Sequence, residues 1–548
     1  MKKIYNLFIL PFLAVSLLSG CEKFLGETPD KSGSSMIYHM DQLKEMTSNP
    51  ELFMYNSYAI SAANQGWCAS YMQELSYLSD AVSYEPEYFV KAMKSSESKN
   101  YDFYSLKPSF FTQQSTMAFT WTAAYNRIYT FNTMLTYLDQ VEQTTPEDYN
   151  RVKGEALFGR AYYQFMLLCQ YCLWDDNAPG IGYRDNPNPG DIPERMTVKY
   201  TVDRIYADLD AAEEALVNAG RDSYELRDRF HPTAVTVKAF RARVALYRGD
   251  YAVALKNATD ALGKYNVLTN LYDDPNQQPV AANGVKYLNA EGTAVEQTLG
   301  YNRCFPISRS NHVPMTEDKE VFLSNYTTAL WMPLSKWYFD LFDKENDARW
   351  TCWYYNHFIM NSYSKGVVQT LMVNGVSTSK CVTKEDQKWI KDYEYMWHCY
   401  LRYYGRGTAF NLGMTTPEMY LIKAECEARA GKNAEAATTL KTLRRARFKD
   451  QTVADNVGSS VSLETVLDER AREMSYIWRV YDIKRRNGSD KANISLKRRI
   501  LTIPSDLSTE VELILGPDDP RWALPFNTLE VKIMGWEQNP GWDEPNAQ

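Results

Sequence analysis

At 548 residues the chain exceeds what a single hydrophobic core serves, and its 45% apolar and 23% charged residues are the composition of a globular protein. A formal net charge of -8 argues against a nucleic-acid partner, whose phosphates call for a basic footprint. The 40 tyrosines and 13 tryptophans are a heavy aromatic load, and side chains with an apolar body and a polar tip suit a wet, adhesive surface.

Lys2 and Lys3 form a positive start, Ile4 to Leu18 a mostly apolar run, and Leu18-Ser19-Gly20-Cys21 follows. This is the pattern of a bacterial secretory signal over residues 1–20, not of a spanning helix. The Leu-Ser-Gly-Cys tetrapeptide resembles the lipobox of bacterial lipoproteins, which implies cleavage before Cys21 and acyl chains on its thiol and new amino group. At about 0.8 kcal/mol per buried methylene, several chains hold a protein on a membrane essentially permanently. The alternative is a plain secreted protein in which Cys21 is a bystander. Residues 21–35 read as the lipidated end and its polar tether, and residues 36–548 as the body.

After Cys21 the longest apolar stretch, AYYQFMLLCQYCLW (161–174), is interrupted by Gln164 and Gln170 and falls short of the roughly 20 residues that a span requires. Cys169 and Cys172 make a CxxC pair inside a predicted helix, away from a helix start and without a second pair. That favours buried packing over a redox or zinc site.

Helical periodicity runs through 119–142 and, after the capping signal Thr145-Pro146-Glu147-Asp148, through 149–171. A second predicted pair covers 201–220 and 231–249, and a third 417–431 and 433–447, with a further helix from about Ser462. ARVALYRGDYAVAL around Gly249 and AECEARAGKNAEAA around Gly431 share Ala242 with Ala424, Ala252 with Ala434 and Ala254 with Ala436. Small residues there let two helices approach, and the glycine ends the first. This is a degenerate tetratricopeptide pattern. The fold expected is mostly α: a tetratricopeptide-like helical-hairpin scaffold, hairpins about 116–265 and 417–486, with an inserted loop-rich, partly β lobe. The insertions, about 84–115 and 266–410, carry Pro and Gly punctuation and β-prone runs such as GVVQTLMVNGVST (366–378). WTCWYYNHF (350–358) reads as a strand with one side packed inward. The basic runs LRRARFK (443–449) and KRRN (484–487) read as solvated or ion-paired helix ends.

Scattered motifs accompany this pattern: CEKFLGETP from Cys21, Leu78-Ser79-Asp80, GEALFGRAYYQFMLL with Gly154, Glu155, Ala156, Arg160 and Ala161, the Asp347-x-Arg349 of FDKENDARW, EMYLIKAECEARAG with TLRRAR, and QNPGW. With the lipobox they resemble the starch-utilisation-system D-like (RagB/SusD) lipoproteins of Bacteroidetes. Glu469, Arg470, Glu473, Arg479, Asp482 and Arg485 keep most of a further family motif, although Ile477-Trp478 stands where Glu-Gly-x is expected. Met534-Gly535 likewise replaces an Asn-Pro. The resemblance implies an outer-membrane, cell-surface lipoprotein that binds a nutrient, usually an oligosaccharide, and hands it to a SusC-like TonB-dependent transporter. It also implies contact with the membrane through the lipid anchor only.

Sugar rings stack their C–H faces on Trp or Tyr while their hydroxyls need polar partners at the rim. Aromatics interleaved with polar residues occur in NQGWCASYMQ (64–73), SDAVSYEPEYF (79–89) with NYDFYS (100–105), and LGYNRCF (299–305). The candidate stacking residues are Trp67, Tyr84, Tyr101 and Tyr301, with Trp353 beside them, and the candidate hydrogen-bonding residues are Asp80, Asn302 and Arg303. A peptide cargo fits Tyr-rich loops too. A glycoside hydrolase is the rival class, but the adjacent carboxylates Asp175-Asp176, Asp273-Asp274 and Asp518-Asp519 all sit in turn contexts. Without HExxH, GxSxG, a P-loop or a dinucleotide fingerprint, the chain offers no enzyme, metal or cofactor signature.

Overall fold

The computed structural model describes residues 37–49, 77–83, 115–142, 144–273, 319–323, 334–356, 407–474, 477–501 and 510–542. To these it adds residues 52–53, 104–106 and 108 and short strands between 280 and 404. The described helices are α1 (Met40–Thr47), α2 (Ser115–Tyr137), α3 (Pro146–Tyr171), α4 (Val198–Asn218), α5 (Ala234–Arg248), α6 (Tyr251–Lys264), α7 (Lys336–Asp340) and α8 (Ala348–Trp353). They continue with α9 (Thr416–Arg429), α10 (Asn433–Arg445), α11 (Gln451–Asp455), α12 (Leu463–Glu473), α13 (Ile477–Arg485) and α14 (Thr528–Met534). The fold is therefore mostly helical, as the periodicity indicated.

Helix starts fall where side-chain acceptors are placed for them. Thr145 takes the Asp148 N–H, with Pro146 at the first helical position, and Ser462 takes the N–H of Thr465. Helix α5 ends on Gly249 at φ +92, a left-handed conformation that a Cβ would strain, and α6 follows at once to close a hairpin. Helices α9 and α10 form the matching hairpin, and α6 lies against α9, so the two similar sequences are neighbours in space. Helix α4 touches α5 but lies chiefly along α3, which α2 flanks as well. Between them α3 is buried from Gly154 to Tyr171, glutamines included. Cys169 and Cys172 are part of that interior, and burial pushes the Cys172 thiol up to about 11.

The strands pair antiparallel. Between 280 and 411 they form β1 (Val280–Ala281) with β4 (Gly300–Tyr301), β2 (Val285–Leu288) with β3 (Ala294–Gln297), β7 (Val368–Val373) with β8 (Val376–Cys381), and β6 (Tyr354–Asn356) with β9 (His398–Tyr400). A three-stranded sheet orders β10 (Tyr403–Tyr404), β11 (Gly407–Asn411) and β5 (Tyr326–Thr328). One hairpin, β12 (Leu496–Leu501) with β13 (Glu510–Leu515), lies outside the expected insertions.

WTCWYYNHF is not a strand throughout. Trp350 to Trp353 finish helix α8 and only Tyr354 to Asn356 are extended. Asp347 starts that helix by accepting the Arg349 N–H, so the family-like Asp-x-Arg is also a helix cap. The aromatics pack among themselves: Trp350 stacks on Tyr354 with centroids 5.2 Å apart, Tyr354 meets Phe342 at 4.9 Å, and the Lys344 ammonium lies 4.2 Å from the Trp350 ring.

Most of the charged motif residues are interior. Arg160 grips Asp208 and Asn132, and Arg243 is fully buried on Glu418 and the carbonyls of Leu412 and Gly413. Trp478, where the resemblance expects a Glu-Gly turn, covers that guanidinium at 4.3 Å. Arg485 holds Glu425 and Asp482. Of the two basic runs, Arg444, Arg447 and Arg485 are thus ion-paired in the interior, whereas Arg445 and Arg486 pair with the more exposed Asp455 and Glu464. QNPGW closes the chain on α3, with Asn539 donating to the carbonyls of Tyr171 and Leu524.

Candidate functional site

Of the residues that the sequence nominates for ligand contact, Trp67, Tyr84, Tyr101, Asn302 and Arg303 lie outside the described residues, as does Cys21. Tyr301 is placed in β4 opposite Val280. Trp353 is a correction: it is wholly buried, with the Arg447 guanidinium 5.9 Å from its ring, and offers no face to a ligand. Strand alternation would have set it beside Tyr355 and His357 without deciding which side faced inward, but the helical turn through Ala348–Trp353 carries it into the core.

Asp80 sits at the centre of what is described. Its segment, 77–83, is tied to the start of α7: Ser335 donates its N–H to the Ala81 carbonyl at 2.8 Å, and Val82 bridges Leu334. Both Asp80 oxygens are taken by Arg479 of α13, Nε at 2.8 Å and Nη2 at 2.6 Å, across 399 residues of chain. Burial pulls the Arg479 guanidinium down, but the Asp80 charge and hydrogen bonds outweigh it and hold it above the ordinary arginine value. Sequence alone offered Asp80 to a ligand; its carboxylate is instead committed to the scaffold.

The same guanidinium lies 4.7 Å from the ring centroid of Trp337, the second residue of α7. Trp337 is 38% exposed, more than any other tryptophan among the described residues. Ser335 caps α7 by accepting the Tyr338 N–H, so Tyr338 and Phe342 turn to the core while Lys336, Trp337 and Asp340 face outward. Trp337 escaped the sequence reading because SKWYFD lies within 266–410, which reads only as a loop-rich, partly β insertion. The signal was there in the Lys336 and Asp340 ion pair four residues apart, which marks the outer face on which the indole lies.

A second arginine braces this region from below. Arg498 of β12 donates Nη1 to the Tyr104 carbonyl at 2.9 Å and Nη2 to the Ser79 carbonyl at 3.0 Å, with its guanidinium 4.3 Å from the Tyr104 ring. Among the described residues it has no carboxylate partner, and burial drags its pKa down to about 10. One buried group thereby joins the strand hairpin to both ends of the stretch between Ser79 and Tyr104. The surface is an exposed indole on a fixed guanidinium, with a carboxylate at its edge.

Antiparallel helical hairpins that stack on one another and carry loop and strand insertions define a helical-repeat scaffold protein. Within that class the chain belongs to the SusD/RagB family: residues 23–246 match the family described as starch-binding and associating with the outer membrane, and residues 336–542 match the SusD family. Similar solved structures include a SusD superfamily protein from Bacteroides thetaiotaomicron VPI-5482, at 16% identity over 92% of this chain and 100% of that one, TM-score 0.57. A laminarin-binding SusD-like protein shares 16% identity over 92% and 100%, TM-score 0.53. Surface glycan-binding protein A from Bacteroides uniformis shares 13% over 91% and 98%, TM-score 0.53. At these identities the likeness is one of fold. No curated protein sequence matches the chain.

Proposed function

We propose that this protein is a cell-surface lipoprotein that captures oligosaccharide or polysaccharide and passes it, uncleaved, to a SusC-like TonB-dependent transporter. The observation that carries the reading is family membership across both halves of the chain, 23–246 and 336–542. Two proteins of the same fold, one laminarin-binding and one a surface glycan-binding protein, support glycan as the cargo class. The aromatic load and an indole displayed on the described surface fit stacking of sugar rings. Among the described residues no helix is long and apolar enough to cross a membrane, which agrees with attachment through acyl chains on Cys21 after removal of residues 1–20.

The direct experiment is native affinity electrophoresis and calorimetry of the mature chain against a polysaccharide panel that includes laminarin and starch, with a peptide panel alongside. Retardation by a glycan whose chain length is unchanged afterwards is the expected result. Binding to peptides alone would make the cargo a peptide, and shortening of the glycan would make the protein a hydrolase. For the anchor, Cys21→Ala should abolish incorporation of radiolabelled palmitate and release the protein from the outer membrane; label retained in that variant overturns the lipidation site. Co-purification of the transporter from detergent-solubilised outer membranes tests the partner.

A further inference from the structure

We propose that Trp337 is a stacking platform for one pyranose ring and that Arg479, itself held by Asp80, fixes the indole from behind. The assignment rests on the glycan reading above and adds the place of contact.

A lone exposed tryptophan is commonplace, since over half of a folded surface is apolar. Trp337 differs in what stands behind it. The Arg479 side chain is 10% exposed and lies 4.7 Å from the ring centroid, so it covers the inner face of the indole and leaves the accessible area to the outer face. A cation so placed attracts the ring electrostatically, more strongly where water is excluded. The guanidinium cannot swing away, because Nε and Nη2 both bind Asp80, whose segment is in turn held by Arg498 at Ser79 and by Ser335 at Ala81. The indole is therefore ordered before a ligand arrives, which removes much of the side-chain entropy that binding would otherwise cost.

The flat, one-sided shape of the platform fits the same occupant. A pyranose lying on the outer face of the ring would present its C–H patch to the indole and keep its hydroxyls at the rim, in water. With a single face available, the platform accommodates one ring of a longer chain and not a sandwiched ring.

The experiment uses the full mature chain with laminarin and with soluble starch as probes. Trp337→Ala should lose about tenfold or more in affinity for whichever polysaccharide the wild type binds, while the melting temperature stays within a few degrees. Trp337→Phe, which keeps a ring, should fall between the two and keeps the test valid where the alanine variant does not fold. Titration of the wild type should shift its tryptophan emission, and the phenylalanine variant should lose that part of the shift. Unaltered affinity in both variants, with a wild type that binds, overturns the platform and leaves glycan capture intact. A wild type that binds neither polysaccharide overturns the glycan reading, and the platform with it.

Discussion

Arg349 and Glu473 meet at 3.0 Å in an interior closed to water, although 124 residues separate them in the chain. The contact is one link of a balanced network. Arg349 also holds Asp347 and Glu469, Arg444 and Arg472 share Glu469, and Arg447 bridges Glu473 to Glu320. Four guanidinium groups face four carboxylates, so each charge that leaves water finds its opposite. The Asp-x-Arg and Glu-Arg-x-x-Glu motifs are in this light the two halves of one lock, between α8 and α12.

Removal of one member should be costly because its partners stay buried. Arg349→Ala is expected to destabilise the protein by about 3–5 kcal/mol. Arg349→Lys should recover only part of this, since an ammonium cannot reproduce the forked contacts to three carboxylates. Urea unfolding midpoints of the three proteins check both statements.

Glu425 makes the fold acid-sensitive in a definite window. Burial alone would raise its pKa, but Arg485 and then Arg429 hold it down to about 2 from an ordinary 4.5. A carboxylate whose folded pKa is depressed contributes its full stability above the unfolded value and loses it as pH falls through the folded one. The gap corresponds to about 3 kcal/mol. Wild type should lose that amount between about pH 5 and pH 2, and Glu425→Gln, less stable at neutral pH, should show a flatter acid limb. The pH dependence of the unfolding free energy reads this directly.

Lys484 acts in the opposite range. It is buried, donates to the carbonyls of Cys169 and Gln170 at the end of α3, and is bonded to no carboxylate among the described residues. Burial lowers its pKa from 10.5 to about 8. The unfolded chain therefore holds the proton more tightly, and stability should rise with pH between about 8 and 10.5, where below 8 the buried ammonium costs about 3 kcal/mol. Lys484→Met should lack this rise, so the difference in melting temperature between variant and wild type should change steadily across the window. A difference that is constant from pH 7 to 10.5 would refute a titrating, buried amine.

Local chemistry explains what could be read without coordinates and what could not. The caps at Thr145 and Ser462 and the glycine at 249 act within one helical turn, so residue type and spacing were enough to place the hairpins. The β12 strand escaped because its inward face, Leu496, Arg498 and Ile500, carries an arginine where alternation expects an apolar residue. Trp353 was misplaced by assuming one period across a helix-to-strand junction. The pairing of Asp80 with Arg479 spans 399 residues, a distance over which neither hydropathy nor spacing carries information. The helical scaffold was legible and its interior charge partners were not. The candidate site was reached in part, through Asp80, but its indole was not.

The link before α9 is the tightest backbone approach among the described glycines. A Cβ on Gly413 would fall 1.8 Å from the Leu323 carbonyl oxygen, and the Gly413 carbonyl itself accepts from the buried Arg243. Backbone cannot yield there without moving the Arg243 and Glu418 pair, so Gly413→Ala should destabilise by about 1–3 kcal/mol or more. Gly263, on the exposed side of α6 with nothing within 4 Å of its would-be Cβ, is the matched contrast. Gly263→Ala should stabilise by about 0.5–1 kcal/mol, because the helix no longer orders the most flexible residue. Thermal melts of the two variants should move in opposite directions from the wild type; a stabilised Gly413→Ala would mean that the turn into α9 is looser than its geometry requires.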